Sequence, residues 1–170
     1  MSFAIVYQSA TGNTALLAEN IRGALPKEDC LFSGSQLPKE KAGLLFVGFW
    51  TDKGDCAAPV IRLLEGLENQ RVALFGTAGF GVSQEYFQSI LQRAESHLPE
   101  SCSLVASFMC QGKMRPAVRE RYEAMLAKDP EDQRAKIFIA NFDQARSHPD
   151  EADLAGVRAF ALRAYEAARD

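Results

Sequence analysis

Short, almost wholly apolar runs alternate along this chain with segments of helical period, and that alternation restricts its fold more than any other feature. Phe3 to Tyr7, Ala42 to Trp50, Val72 to Thr77 and Leu104 to Cys110 are rich in β-branched and aromatic residues and continuous rather than alternating. A strand that is apolar at odd and even positions alike has both faces covered, as in a parallel sheet held between helices. Cys30 to Ser33 reads as one further, shorter strand at an edge. Between these runs, Thr14 to Leu25 sets Leu17, Ile21 and Leu25 four apart, and Pro59 to Leu67 carries Val60, Leu63, Leu64 and Leu67. Phe87, Ile90, Leu91, Ala94 and Leu98 share a face behind a capping Ser83. The order predicts an α/β three-layer sandwich: a five-stranded parallel sheet of order 2-1-3-4-5 with right-handed crossovers.

Beyond Cys110 the pattern turns helical. Pro116 to Leu126, Asp132 to Arg146 and Asp153 to Ala168 form three candidate helices. One of them is needed to cover the last face of the sheet; the others are expected to cap an edge or shape a partner surface. The expected organisation is one domain over 1–170, with a βα core over 1–112 and a helical C-terminal part over 113–170 packed on it. A chain of 170 residues, 47% hydrophobic, can bury such a core without disulfides or metal.

Composition narrows the function classes. No apolar run approaches the roughly 20 residues that cross a bilayer, and Met1 to Tyr7 lacks a basic n-region or cleavage site. Cys30, Cys56, Cys102 and Cys110 show no metal-binding spacing. A cytoplasmic protein without a membrane partner or a bound metal is expected. The net charge of −3 gives no support for nucleic acid as a partner, whose phosphates call for a concentrated basic surface.

Directly between the first strand and the first helix stands Ser9-Ala10-Thr11-Gly12-Asn13-Thr14. Small hydroxyl residues around a glycine let several backbone N–H groups turn inward, and the helix N-terminus adds partial positive charge, so the loop can cradle a phosphate. It contains neither Lys nor Arg, and it matches neither GxxxxGK[ST] nor GxGxxG. A neutral cradle of this kind suits a single monoester phosphate. Two more loops fall at strand ends, Phe49 to Gly54 and Gly76 to Gly81. Within them Trp50, Thr51, Asp52, Lys53, Gly54, Thr77, Ala78, Gly79, Phe80 and Gly81 are candidate ligand contacts, offering aromatic faces, backbone amides and close approach.

The hexapeptide resembles the [ST]-x-T-G-x-T phosphate loop of flavodoxins at every defined position, and the Thr77-Ala78-Gly79 loop is similar to its counterpart in flavodoxin-like oxidoreductases. The resemblance implies a flavodoxin-like fold, FMN as non-covalent cofactor, electron transfer as activity, and a reductase or flavoenzyme as redox partner. The loops Gly48 to Gly54 and Phe75 to Gly81, with Cys110 to Met114, further resemble flavodoxin-family proteins encoded with bilirubin reductase in gut bacteria, which implies electron supply to tetrapyrrole reduction. The loop after the third strand departs from the family pattern G-x-x-T-W followed by glycine. Either Asp52 takes the aromatic's place or Thr51 takes the glycine's, so a peptide flip beside the flavin is costlier.

Lys113 to Arg121 holds four cations and one anion. Lys113, Arg115 and Arg119 are candidate contacts for an anionic substrate or partner, Arg115 and Arg119 being four apart on a helix. Cys56 is expected near a helix start, where thiol pKa values fall, yet no base accompanies it and no catalytic acid, base or nucleophile is assigned. Three functional readings stay open: an electron carrier for a specific reductase, an NAD(P)H-dependent FMN oxidoreductase acting on a quinone-like acceptor, and a module that has lost flavin and works by contact.

Overall fold

The computed structural model describes residues 1–81 and 83–169. Strands β1 (Phe3–Tyr7), β2 (Cys30–Gly34), β3 (Leu44–Asp52), β4 (Asp55–Cys56), β5 (Arg71–Ala78) and β6 (Ser103–Gln111) alternate with helices α1 (Asn13–Ala24), α2 (Ala58–Glu65) and α3 (Gln84–Ser96). Helices α4 (Pro116–Lys128), α5 (Gln133–Ala145) and α6 (Glu151–Ala167) follow. Five strands form a parallel sheet in the order β2-β1-β3-β5-β6. In chain order of those five, this is the predicted 2-1-3-4-5.

Alternation of side chains along each strand divides the core in two. Ala4, Val6, Leu45, Val47, Phe49, Val72 and Leu74 face α2 and α3, meeting Val60, Leu64, Phe87, Ile90 and Ala94. Phe3, Ile5, Leu44, Phe46, Ala73 and Phe75 face α1 and α6, meeting Leu17, Ile21, Val157, Phe160 and Ala161. Phe46 lies edge-on to both Phe3 and Phe160 with ring centroids 6.0 Å apart. α6 is therefore the tail helix that closes the sheet. Its start is fixed by a reciprocal capping box between Asp150 and Asp153. Ser83 caps α3 as expected, accepting the Tyr86 N–H.

The structure departs from the sequence reading after Trp50. Phe49 to Gly54 is not an open loop: β3 continues to Asp52 and doubles back, Thr51 pairing with Cys56 and Asp52 with Asp55. Lys53 and Gly54 make the turn with φ of 51° and 82°, the left-handed pair that a two-residue hairpin demands. The apolar signal stops at Trp50 because Thr51 to Asp55 are half-buried or exposed, although the hairpin packs on α3 through Arg93 and His97. Among the described residues no helix is long and apolar enough to cross a membrane.

Candidate functional site

The carboxyl ends of β1, β3, β5 and β6 meet at one end of the sheet, and the Ser9–Thr14 loop lies there beside the β1/β3 reversal of strand order. Gly12 precedes α1 in the left-handed conformation, φ 87°, which the residue's missing Cβ permits. Two hydroxyls of the loop are spent on its own shape. Ser9 Oγ accepts the Ala15 N–H at 3.2 Å. The buried Thr14 hydroxyl donates to the Phe49 carbonyl at 3.2 Å and shares a hydrogen bond with the Thr77 hydroxyl. Thr51 Oγ1 donates to the Thr77 carbonyl at 3.0 Å, so three threonines tie the loop, β3 and β5 together. Among the described residues, the backbone N–H groups of Ala10 to Thr14 find no acceptor. Five such donors at the positive end of a helix form a nest that can receive an anion.

Beside the nest opens a cleft of about 950 Å³. Most of the sequence-predicted residues line it: Ala10, Thr11 and Asn13 from the loop, Trp50 to Gly54 from the hairpin, and Thr77 to Phe80 from the end of β5. Ser9, Gly12, Thr14 and Gly81 do not. The Ser9 and Thr14 hydroxyls are taken up by the hydrogen bonds above, Gly12 lines a small adjoining cavity at the start of α1, and Gly81 is packed against the Phe87 ring. Tyr86 and Arg93 of α3 and Met114, Val118, Arg121 and Tyr122 of the tail also line the cleft. Sequence reasoning missed this wall because helical period alone does not say where a surplus helix docks. α5 buttresses it: the Phe80 ring stands edge-on to Phe138, centroids 5.5 Å apart, and Tyr122 packs on Phe138 at 5.0 Å.

The residues joining β6 to α4 are pinned onto the nest. Gln111 Nε2 donates to the Gly79 carbonyl at 3.1 Å, as does Asn141 Nδ2 of α5. Asn13 Nδ2 donates to the Lys113 carbonyl at 2.8 Å, and Arg115 Nη2 donates to the Ala10 carbonyl at 3.0 Å. Arg115 and Arg119 do not share a helix face as the sequence predicts. Pro116 begins α4, leaving Arg115 outside it, and Arg119 is taken up by Glu123 at 2.8 Å and by Asp143.

Cys56 does stand next to the start of α2, just before its N-cap Ala57, but it is buried in β4, where desolvation and the neighbouring Asp55 push its thiol up to about 12, the reverse of activation. Burial, reinforced by Asp153 and Asp150, raises the Cys110 thiol as well.

A doubly wound sheet with an anion nest at its switch point and an aromatic-rimmed cleft alongside defines a class: α/β proteins that hold a ligand beyond the carboxyl ends of their strands. The flavodoxin domain model matches residues 4–162, and the chain belongs to that family. It is 41% identical over 187 aligned residues to the flavodoxin-like domain-containing protein BilS of Clostridium symbiosum, covering 99% of this chain and 98% of that one. Its fold is similar to that of a short-chain flavodoxin associated with a bacterial microcompartment, with a TM-score of 0.61, 15% identity and 99% of both chains covered. It is also similar to a Lactobacillus acidophilus flavoprotein solved in complex with FMN, with a TM-score of 0.51 and 14% identity over 64% of this chain and 92% of that one.

Proposed function

We propose that this chain binds FMN in the cleft and passes electrons to a specific reductase. One observation carries the reading: five backbone N–H groups, Ala10 to Thr14, find no acceptor among the described residues and lie beside a cleft rimmed by Trp50, Tyr86 and Tyr122. A phosphate monoester accepts from such a nest, while the aromatic rims offer flat apolar faces to a fused ring. A second feature also fits the nucleotide. Asn13 Oδ1 is buried and has no hydrogen-bond partner among the described residues, and a ribityl hydroxyl is a donor suited to it.

When bound, the flavin supplies reversible uptake and release of electrons. The chain's part is to orient and to shield. The hairpin pairing of Thr51 and Asp52 with Cys56 and Asp55 holds the backbone beside the cleft in one arrangement and opposes a peptide flip there. Identity of 41% to the BilS protein supports the finer part of the reading, that the acceptor is an enzyme of tetrapyrrole reduction such as that of bilirubin.

Absorbance of the purified protein tests the proposal. Near-ultraviolet and blue bands, with FMN released on denaturation and identified by mass spectrometry, are the expected result. A folded, colourless sample that takes up no added FMN would overturn it. Mixing the yellow protein with NADPH under nitrogen separates carrier from stand-alone enzyme: the carrier keeps its colour until a reductase is added.

A further inference from the structure

The loop sequence predicts a neutral phosphate cradle, but the fold brings charge to it. Lys113 and Thr11 line three adjoining cavities: the cleft described above, a second of about 990 Å³ between α4 and α5, and a small one of about 170 Å³ at the start of α1. Arg115 borders the first two and reaches across to the Ala10 carbonyl at 3.0 Å. A guanidinium carries five N–H donors, so this contact leaves most of them for another acceptor. Neither Lys113 nor Arg115 joins an ion pair among the described residues, whereas nearby Arg119 is matched by Glu123 and Asp143.

These two cations are placed by a built segment rather than by chance exposure. The Asn13 carboxamide takes the Lys113 carbonyl at 2.8 Å, and the Lys113 N–H donates to the His148 carbonyl at 2.9 Å. Gly112 permits the approach, since a Cβ there would stand 2.5 Å from Asn13 Nδ2. Met114 packs over Gly79. The chain from Gln111 to Arg115 is thus a strap, tied to Gly79 through Gln111 and to the loop at Lys113 and Arg115, and Asn13 Oδ1 beside it is buried with no hydrogen-bond partner among the described residues.

We propose that Lys113 and Arg115, carried in by this strap, bind the phosphate of the nucleotide together with the amides of Ala10 to Thr14, so that the site selects its ligand by charge. The inference rests on the FMN reading above and adds to it which residues distinguish the phosphorylated flavin from the free one. A charge-assisted hydrogen bond to a dianion is roughly twice as strong as a neutral one, and an exposed cation is sensitive to salt.

The test is equilibrium titration of the full, flavin-freed chain with FMN and with riboflavin, followed by flavin fluorescence. Arg115→Gln and Lys113→Gln are each expected to weaken FMN about tenfold or more, the double variant further, while riboflavin affinity stays within about twofold. Added salt should weaken FMN binding to the parent chain and act less on the double variant. Arg119→Gln, whose side chain is already neutralised, should leave the FMN-to-riboflavin ratio unchanged. Circular dichroism of each variant confirms folding. FMN affinity unaltered in the double variant would overturn the proposal, as would equal loss of riboflavin, which would make the strap a structural element only. A parent chain that binds neither flavin would instead overturn the proposed function, and this inference with it.

Discussion

Asn13 and Lys113, 100 residues apart, are joined by a 2.8 Å hydrogen bond from carboxamide to carbonyl that fastens the tail to the Ser9–Thr14 loop. Asn13→Ala removes it, and the unmatched carbonyl costs about 1–3 kcal/mol. Urea unfolding should show that loss. Gly112→Ala should produce a comparable one, because its methyl would enter the space of the Asn13 side chain.

The β3–β4 turn is strained at one position. Lys53 adopts φ 51° and Gly54 φ 82°, and a left-handed conformation costs a residue with a Cβ roughly 1–2 kcal/mol. Lys53→Asn, a residue that tolerates this region, should raise the urea midpoint. Gly54→Ala should lower it, since the new methyl also lies 2.8 Å from Arg93 Nη1.

Asp55 links the hairpin to the end of α3 through His97, Nε2 to Oδ2 3.0 Å. Burial opposes ionisation of Asp55, but the His97 ring and the Cys56 N–H outweigh it and hold the carboxyl below its usual value. A carboxylate with a lowered folded-state pKa stabilises the fold above its unfolded value and loses that contribution as pH falls through the folded one. Thermal midpoints measured downward from about pH 5 should therefore fall more steeply for the parent chain than for Asp55→Asn.

Thiol reactivity should follow burial. Cys56 and Cys110 are buried and Cys30 and Cys102 half-buried, and desolvation raises both buried thiols. Iodoacetamide at mildly alkaline pH should label Cys30 and Cys102 of the native protein first, as read by peptide mass spectrometry. Cys56 and Cys110 should react only after denaturation.

The sheet was legible in the sequence because its central strands β1, β3 and β5 are apolar on both faces, a pattern few other environments tolerate. The nest was legible for a similar reason, as its residues are contiguous. The hairpin was not, since Thr51, Asp52 and Asp55 carry no hydrophobic signal and the turn begins with Lys53 rather than a residue that favours positive φ. The separation of Arg115 from Arg119 had a visible sign in Pro116, which suits the first turn of a helix and so marks where α4 starts. Pairing of Arg119 with Glu123 follows from i,i+4 spacing, but the Asp143 contact comes from α5 and is written only in the packing. The same holds for the strap: nothing local to Lys113 points to Asn13.

β1 is synthesised early, yet the rings of Phe3 and Phe46 are sealed by Phe160 and Tyr165 of α6, and the Tyr165 hydroxyl reaches the Met1 carbonyl across 164 residues. A nascent chain therefore has only α1 over this greasy side of its sheet, the part that α6 seals staying bare until the end of translation. Folding has to wait for partners distant in sequence, which slows it and exposes the growing polypeptide to chaperones and to self-association.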